Sequence, residues 1–493
     1  MWKKQQSFSN FNTPNTASGL IQAFVITSDP QYPWTDCTDG SNFSSCNIQN
    51  ISPCSGRPES DSNKNQRSEA LIREQYNDIN NYINNLPSNV NAAVLINGDM
   101  TAFGHGTEWS KIKNLINTLN RPYYYGVGNH DIENNFNDCA NNGCFKNSLN
   151  ELISHVQNRN IPSSQFDHKS ESHWSGWGNG TNHHGSFAYS FDIGNINFIQ
   201  LQHNPTMERK ATPTITNTNQ YHIYPNRNWL ENQLRRARDT GKIIIVNVHV
   251  KGNIPNDYAQ LLQNYGVTAV FSGHYHTSLG TNGSVGNIPA FISGSASQRT
   301  YLILEQFLDR LDIYTVRCNG WRNHRQLVRT IPLSMELPIF SGRYKIVTAL
   351  NNSSVVNMDP NNCNNFNICN VNLWQNSDVS QQLWDFRYDS SKQAYQISTP
   401  ARNFNNALAW NAPNPATDRD VIVAPFHSNY DEHYWVIERG NSGFIFRNKR
   451  NPNLVMDVQD ARTANGTNIK VNQLHPTTSV FRSAQEFHLR KMN

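Results

Sequence analysis

The chain has 493 residues, more than one ordinary hydrophobic core can serve, so two or three domains are expected. Only 16% of residues are charged and the formal net charge is +4, which gives no case for nucleic acid or an acidic membrane as partner. The mean hydropathy of −0.66 comes from Asn, Gln, Ser and Thr, and no run of about 18 apolar residues occurs, so hydrated loops and no membrane span are expected.

The start, "MWKKQQSFSNFN", is basic but has no apolar core behind it. It reads as a polar tail packed on the first domain rather than a signal peptide of the usual kind. The compartment is therefore left open, with release by a non-classical route or storage in an inclusion both compatible.

From about 20 to 330, strand-like and helix-like runs alternate. "QAFVIT", "NAAVLING", "RPYYYGVG", "FAYSFDIG", "INFIQLQ", "KIIIVNVHV", "VTAVFSG" and "PAFISGS" read as buried strands. "SEALIREQYNDINNYINNL", "EWSKIKNLINTL" and "NRNWLENQLRRARD" carry the three-to-four spacing of amphipathic helices, with Asn228 at the expected cap of the last. This alternation predicts a layered α/β domain. A hairpin turning at Gly194-Asn195 makes its sheet mixed.

The eight cysteines show no C-x-x-C, so a zinc ribbon is not expected. Cys139/Cys144 and Cys363/Cys369 are spaced to close short disulfide loops or to remain thiols, Cys37, Cys46 and Cys54 form a third group, and Cys318 stands alone.

"TIPLSMELPIFS" has two prolines and no period, which predicts a linker at 336–341 between a domain at 1–335 and another at 342–493. Beyond it helical spacing vanishes. Gln382-x-Trp384, His433-x-Trp435 and Gln485-x-Phe487 recur at 51 and 52 residues, with Tyr344, Tyr395 and Phe444 in phase. Two markers with one period predict three copies of an all-β unit in a closed barrel.

Within the first domain, five strand ends carry residues able to bind metal. They are Asp29 and Gln31 in "SDPQ", Asp99 in "INGDM", Asn129, His130 and Asp131 in "VGNHD", His249 in "VNVHV", and His274 and His276 in "FSGHYH". Strand C-termini line the ligand crevice of open α/β sheets, so these ends can converge. Period-two alternation would put Asp29 with Gln31, and His274 with His276, on one side of an extended backbone. Gly precedes three of the clusters, as close backbone approach favours.

The ordered set resembles the calcineurin-like metallophosphoesterase pattern D-x-H, G-D, G-N-H-D/E, H and G-H-x-H over about 20–330, departing only where Gln31 replaces the first His. The resemblance implies an α/β fold, a four-layer double β-sandwich flanked by helices, and two divalent cations about 3.5–4 Å apart. It assigns Asp29, Gln31, Asp99 and His276 to the first cation and Asp99, Asn129, His249 and His274 to the second. It implies a hydroxide shared by the cations as nucleophile, His130 as acid toward the leaving group, and Asp131 holding the His130 ring. A neutral amide at Gln31 favours Mn²⁺ in the first site, while Mn²⁺, Fe or Zn²⁺ suit the second.

"GDMTAFGHG" lacks the arginine of Ser/Thr protein phosphatases, and Ala102 stands where purple acid phosphatases have tyrosine. The Asp-x-Gln start resembles the branch of manganese-dependent nucleotide diphosphatases. A small phosphomonoester or phosphodiester is thus the expected substrate. His105, His183, His184 and His203 lie in segments from which a side chain can reach it, and "HWSGWGNGTNHHG" reads as a Trp- and Gly-rich loop.

The tail resembles ricin-type β-trefoils, particularly those attached to Bacillus insecticidal toxins, which implies a glycan or protein partner. The family's early Asp position falls on Asn357, Trp410 and Asp457 and its stacking region on Trp374, Phe426 and Asn472, so no repeat keeps both. Asp457 and Trp374 are the candidate sugar contacts. A second reading stands beside the enzyme: a toxin-associated carbohydrate-binding protein whose phosphoesterase domain is secondary or inactive.

Overall fold

The computed structural model describes residues 19–40, 46, 54, 58–88, 90–307, 309–333, 340–402, 405–412, 419–440, 442–477 and 479–492. The expected polar tail and most of the expected linker lie outside these residues.

In chain order the first domain begins with β1 (Gln22–Thr27), α1 (Asp61–Asn84), β2 (Asn91–Ile96), α2 (Gly106–Ile116), β3 (Tyr123–Tyr125), α3 (Asn129–Ile132) and α4 (Gly143–Asn158). There follow β4 (Lys169–Trp174), β5 (Asn179–Gly185), β6 (Tyr189–Ile193), β7 (Ile196–Gln200), β8 (Arg209–Ala211) and β9 (Gln220–Ile223). Then come α5 (Arg227–Asp239), β10 (Ile243–Asn247), α6 (Asn256–Asn264), β11 (Val267–Ser272), β12 (Gly280–Val285) and β13 (Ile288–Ile292). The last strands are β14 (Tyr301–Gln306), β15 (Arg310–Val316) and β16 (Arg325–Pro332).

Two six-stranded sheets form, in the orders β16-β15-β14-β1-β2-β3 and β12-β13-β11-β10-β7-β6. Their facing sides carry Phe24, Leu304, Phe198, Ile245 and Phe271, all shielded from water in one core. Burying each such side chain favours folding by about 1.5–3 kcal/mol, which explains why the strands read as unbroken apolar runs. Helices cover the outer faces, α5 and α6 packing Leu230, Leu234 and Leu262 against Ile244 and Val246. The architecture is the expected helix-flanked double sandwich.

Three local expectations are corrected. The cap of α5 is Asn226, whose side chain accepts from the Trp229 N–H, and Asn228 lies inside the helix. α1 starts at Asp61, seven residues before its periodic part, because Ser60 caps a first turn that has no apolar face. The Trp- and Gly-rich stretch is the β4–β5 hairpin of a small third sheet, β4-β5-β9-β8. All eight cysteines are paired: Cys37–Cys54, Cys46–Cys318, Cys139–Cys144 and Cys363–Cys369. Cys318 is therefore not solitary.

The second domain is all-β. Its first strand, Gly342–Thr348, pairs with its last, Phe487–Lys491, and so closes the barrel. Trp384, Trp435 and Phe487 are fully buried in its core, one per repeat. The recurring motif has a physical cause. The indole N–H of Trp384 donates to the Val356 carbonyl at 3.0 Å, and that of Trp435 to Leu408 at 2.8 Å. Gln382 accepts from the Ser377 N–H while Gln485 accepts from the His475 N–H, both at 2.7 Å, so the amide pins the preceding loop. This is the fold expected of a trefoil.

Candidate metal centre

The ligand candidates leave the ends of β1, β2, β3, β10 and β11, where the two sheets' C-terminal edges meet. The backbone reaches the centre by turning rather than by extending. Asp29, Gln31, Asp99 and His274 have φ of 52°, 39°, 50° and 75°. The left-handed region costs a side-chain-bearing residue roughly 1–2 kcal/mol, strain characteristic of functional sites. The alternation argument is thereby corrected for both pairs. Asp29 and Gln31 are set by hydrogen bonds from their N–H groups to the Gly98 and Asp99 carbonyls. Past β11 the chain bends at His274, so the rings of His274 and His276 approach different partners. Close approach also explains Gly128, since a Cβ there would stand 2.2 Å from Asp99 Oδ1.

Two groups of ligand atoms share Asp99. His249 Nε2 lies 3.0 Å from Asp99 Oδ2 and 3.0 Å from Asn129 Oδ1, and His274 Nδ1 lies 3.0 Å from the same Asn129 oxygen. His276 Nε2 lies 3.3 Å from Asp29 Oδ1, and the His276, Asp29 and Asp99 ligand atoms lie within 4.8 Å of one another. Gln31 is fully buried with neither side-chain oxygen nor nitrogen hydrogen-bonded, and Asp29 Oδ1 and Asp99 Oδ2 also lack hydrogen-bond partners. Leaving such groups unsatisfied costs about 1–3 kcal/mol each, so these oxygens fit cation ligands. The donor set, carboxylates, amides and imidazoles around a shared carboxylate, suits two divalent cations.

Electrostatics agree. Burial disfavours a charged His249, but the Asp99 and Asp29 carboxylates outweigh it and raise the ring to about 9. Burial also opposes charge on His276, and Asp29 and Asp39 raise it to about 10. These carboxylates hold protons where cations would sit, so loading the centre with metal must expel them.

His130 lies beside the ligands, its N–H donating to Asp99 Oδ1 at 2.9 Å. Its ring is held by the Ala102 carbonyl, 2.9 Å from Nδ1, and by the edge of Trp34. The Asp131 carboxylate does not hydrogen-bond that ring, contrary to expectation. It is fully buried and accepts from the N–H groups of Met100, Thr101 and Gly128 and from the Thr101 hydroxyl, so it ties two ligand-bearing loops together.

The remaining candidates separate. His203 is buried beside the second group, its ring centre 6.1 Å from that of His249 and its Nε2 3.0 Å from the Glu133 carboxylate. Burial first, then His249, pushes it down to about 3, so it is neutral. His105 is a half-exposed residue at the start of α2, paired with Glu108. His183 and His184 are bound within the small sheet, to His168 and Tyr224. In the trefoil, Asp457 is buried and accepts from Gln485 Nε2 at 2.7 Å, whereas Trp374, in another repeat, is 39% exposed.

Sequence reasoning missed Asp39. Its carboxylate lies 2.7 Å from His276 Nδ1 and accepts from Trp34 Nε1, Ser297 Oγ and Gln298 Nε2. It fixes the tautomer that leaves His276 Nε2 toward Asp29. Asp39→Asn is expected to weaken cation binding by roughly 10- to 100-fold, read by Mn²⁺ titration calorimetry. Unchanged affinity would show that the ring needs no such support.

A family model described as calcineurin-like phosphoesterase matches residues 23–278, and one described as a ricin-type beta-trefoil lectin domain-like matches 380–472. The chain belongs to the calcineurin-like phosphoesterase family and carries a ricin-type β-trefoil at its C-terminal side. Pierisin of Pieris brassicae is 27% identical over 153 residues, covering 31% of this chain and 17% of that protein. The main hemagglutinin component type C of Clostridium botulinum C phage is 28% identical over 144 residues, 27% of this chain and 48% of that one. The chain thus spans less than half the length of these curated relatives. A mosquitocidal holotoxin structure aligns at 20% identity with a TM-score of 0.27, covering 43% of this chain and 27% of its own.

Proposed function

We propose that the protein hydrolyses a phosphomonoester or phosphodiester of a small molecule with two divalent cations. The carrying observation is the pair of ligand groups sharing Asp99, with the buried, unpartnered Gln31 in the first. Asp29, Gln31, Asp99 and His276 would hold one cation, and Asp99, Asn129, His249 and His274 the other. Bound there, two cations supply acidified water and offset charge on the phosphoryl oxygens. The chain supplies the rest. Ala102 engages His130 Nδ1, which leaves Nε2 to pass a proton to the departing oxygen. Asp131 holds the loops that present Asp99 and Asn129. The amide of Gln31 gives the first group hard oxygen donors, which favours Mn²⁺, while Fe or Zn²⁺ also suit the second.

The trefoil supports a second role in glycan binding. Strand pairing sets Asn357 opposite Asn372, and Asn372 Nδ2 lies 3.3 Å from Asp359 Oδ2. Alternation puts the half-exposed Trp374 on the same face as Asn372, so the first repeat pairs an aromatic with a carboxylate two residues beyond the aligned position.

The test is hydrolysis of bis-p-nitrophenyl phosphate and p-nitrophenyl phosphate by chelator-treated protein. Turnover restored by Mn²⁺ is expected. No turnover of either ester with Mn²⁺, Fe²⁺ or Zn²⁺ would leave the toxin-associated binding protein as the better reading.

A further inference from the structure

The small sheet β4-β5-β9-β8 has an end that packing does not explain. Trp174 and Trp177, in and just past β4, are 70% and 61% exposed, and Ile215, in the β8–β9 connection, is 72% exposed. All three lie at one end of the sheet. β5 runs parallel to β9, so the β4–β5 turn and the β8–β9 connection emerge together. They are tied there by Thr218 Oγ1 donating to the Asn179 carbonyl at 2.8 Å and by the Thr181 N–H donating to Asn219 Oδ1 at 2.9 Å.

The exposure is built in. Ser175 Oγ donates to the Gly178 carbonyl and accepts from the Trp177 N–H, while the Ser175 N–H reaches the same carbonyl. Gly176 has φ +83°, which this turn requires. Segments 172–183 and 210–222 contain no Asp or Glu, and Lys210 is their one Lys or Arg. Ser, Thr and Asn surround the indoles instead.

We propose that this end of the sheet is a docking tip for a zwitterionic phospholipid bilayer. Indoles prefer the headgroup boundary, where the ring is buried and its N–H stays hydrogen-bonded. A nearly uncharged tip matches a surface without net charge and needs no basic patch. Both indoles stand exposed, so a folded partner would need a cavity shaped to the two of them, whereas a bilayer yields. The hydrogen-bonded turn means that little ordering entropy is lost on insertion.

The experiment uses the full-length protein and phosphatidylcholine vesicles that carry no glycolipid and enclose sucrose only in their lumen, in sugar-free outer buffer, so that the trefoil meets no sugar. Wild-type protein is expected to co-sediment, and vesicles of brominated phosphatidylcholine to quench part of its tryptophan emission. The double variant Trp174→Ser/Trp177→Ser should bind at least tenfold more weakly and lose that quenching at unchanged Tm. Ile215→Ser, outside the hairpin, should weaken binding in the same direction. Absence of wild-type sedimentation, or binding by the double variant equal to wild type, would overturn the proposal. Neither readout involves turnover, so the outcome is independent of the phosphoesterase reading.

Discussion

Asp99→Asn is expected to lower Mn²⁺-dependent ester hydrolysis by roughly a thousandfold or more, about 4 kcal/mol of transition-state stabilisation. Asp99 is the residue common to both ligand groups and is almost fully buried. Asparagine keeps its size, so the loop it anchors, through Oδ1 and the His130 N–H, has no steric reason to move. What would be lost is the negative charge common to the two proposed cation sites, and a neutral amide would not offset repulsion between cations held there. Metal analysis should therefore show fewer than two cations per chain, with far-ultraviolet dichroism unchanged. Activity within tenfold of wild type would remove the shared carboxylate from the account.

His130→Ala should discriminate among substrates. The ring holds no ligand position in either group, so cation content should stay at two per chain. Loss of a positioned acid costs roughly a hundred- to thousandfold where the leaving group is a poor one. An alkyl phosphodiester should fall by about that factor, and a p-nitrophenyl ester, whose leaving group departs unprotonated, by much less. The comparison needs kcat for both substrates at saturating Mn²⁺. Equal losses on the two would assign His130 to phosphoryl binding rather than to the leaving oxygen.

The candidate ligands that the structure brings together could be picked out in sequence because they come in fixed order at strand ends, each with a metal-capable side chain. How the chain delivers them could not. Period-two reasoning assumes extended backbone, and Asp29, Gln31, Asp99 and His274 lie outside it. Asp39 was invisible for a related reason. It sits in an aperiodic stretch held by the Cys37–Cys54 bridge, and its partners Ser297 and Gln298 are more than 250 positions away. The Cys46–Cys318 pairing shows the same limit, since spacing does not reveal connectivity over 272 residues. Glycines in "HWSGWGNGTNHHG" suggested a loop, whereas the stretch pairs residue by residue from Lys169 with His184 to Trp174 with Asn179. The trefoil was plainer, because its period is carried by aromatic residues buried in one core, two of which, Trp384 and Trp435, also donate an indole hydrogen bond there.

The position of β14 beside β1 bears on where this chain can be cut. β1 is flanked by β2 on one side and by β14 on the other, with Gln22 opposite both Asn91 and Gln306. The span that carries the family signature stops at 278, before β14 is reached. A fragment ending there would leave a central strand with an open edge, a template for aggregation, and would strip Asp39 of Ser297 and Gln298. The inheritable unit is therefore larger than the recognisable one. A cut that keeps the phosphoesterase-family domain whole has to fall beyond β16.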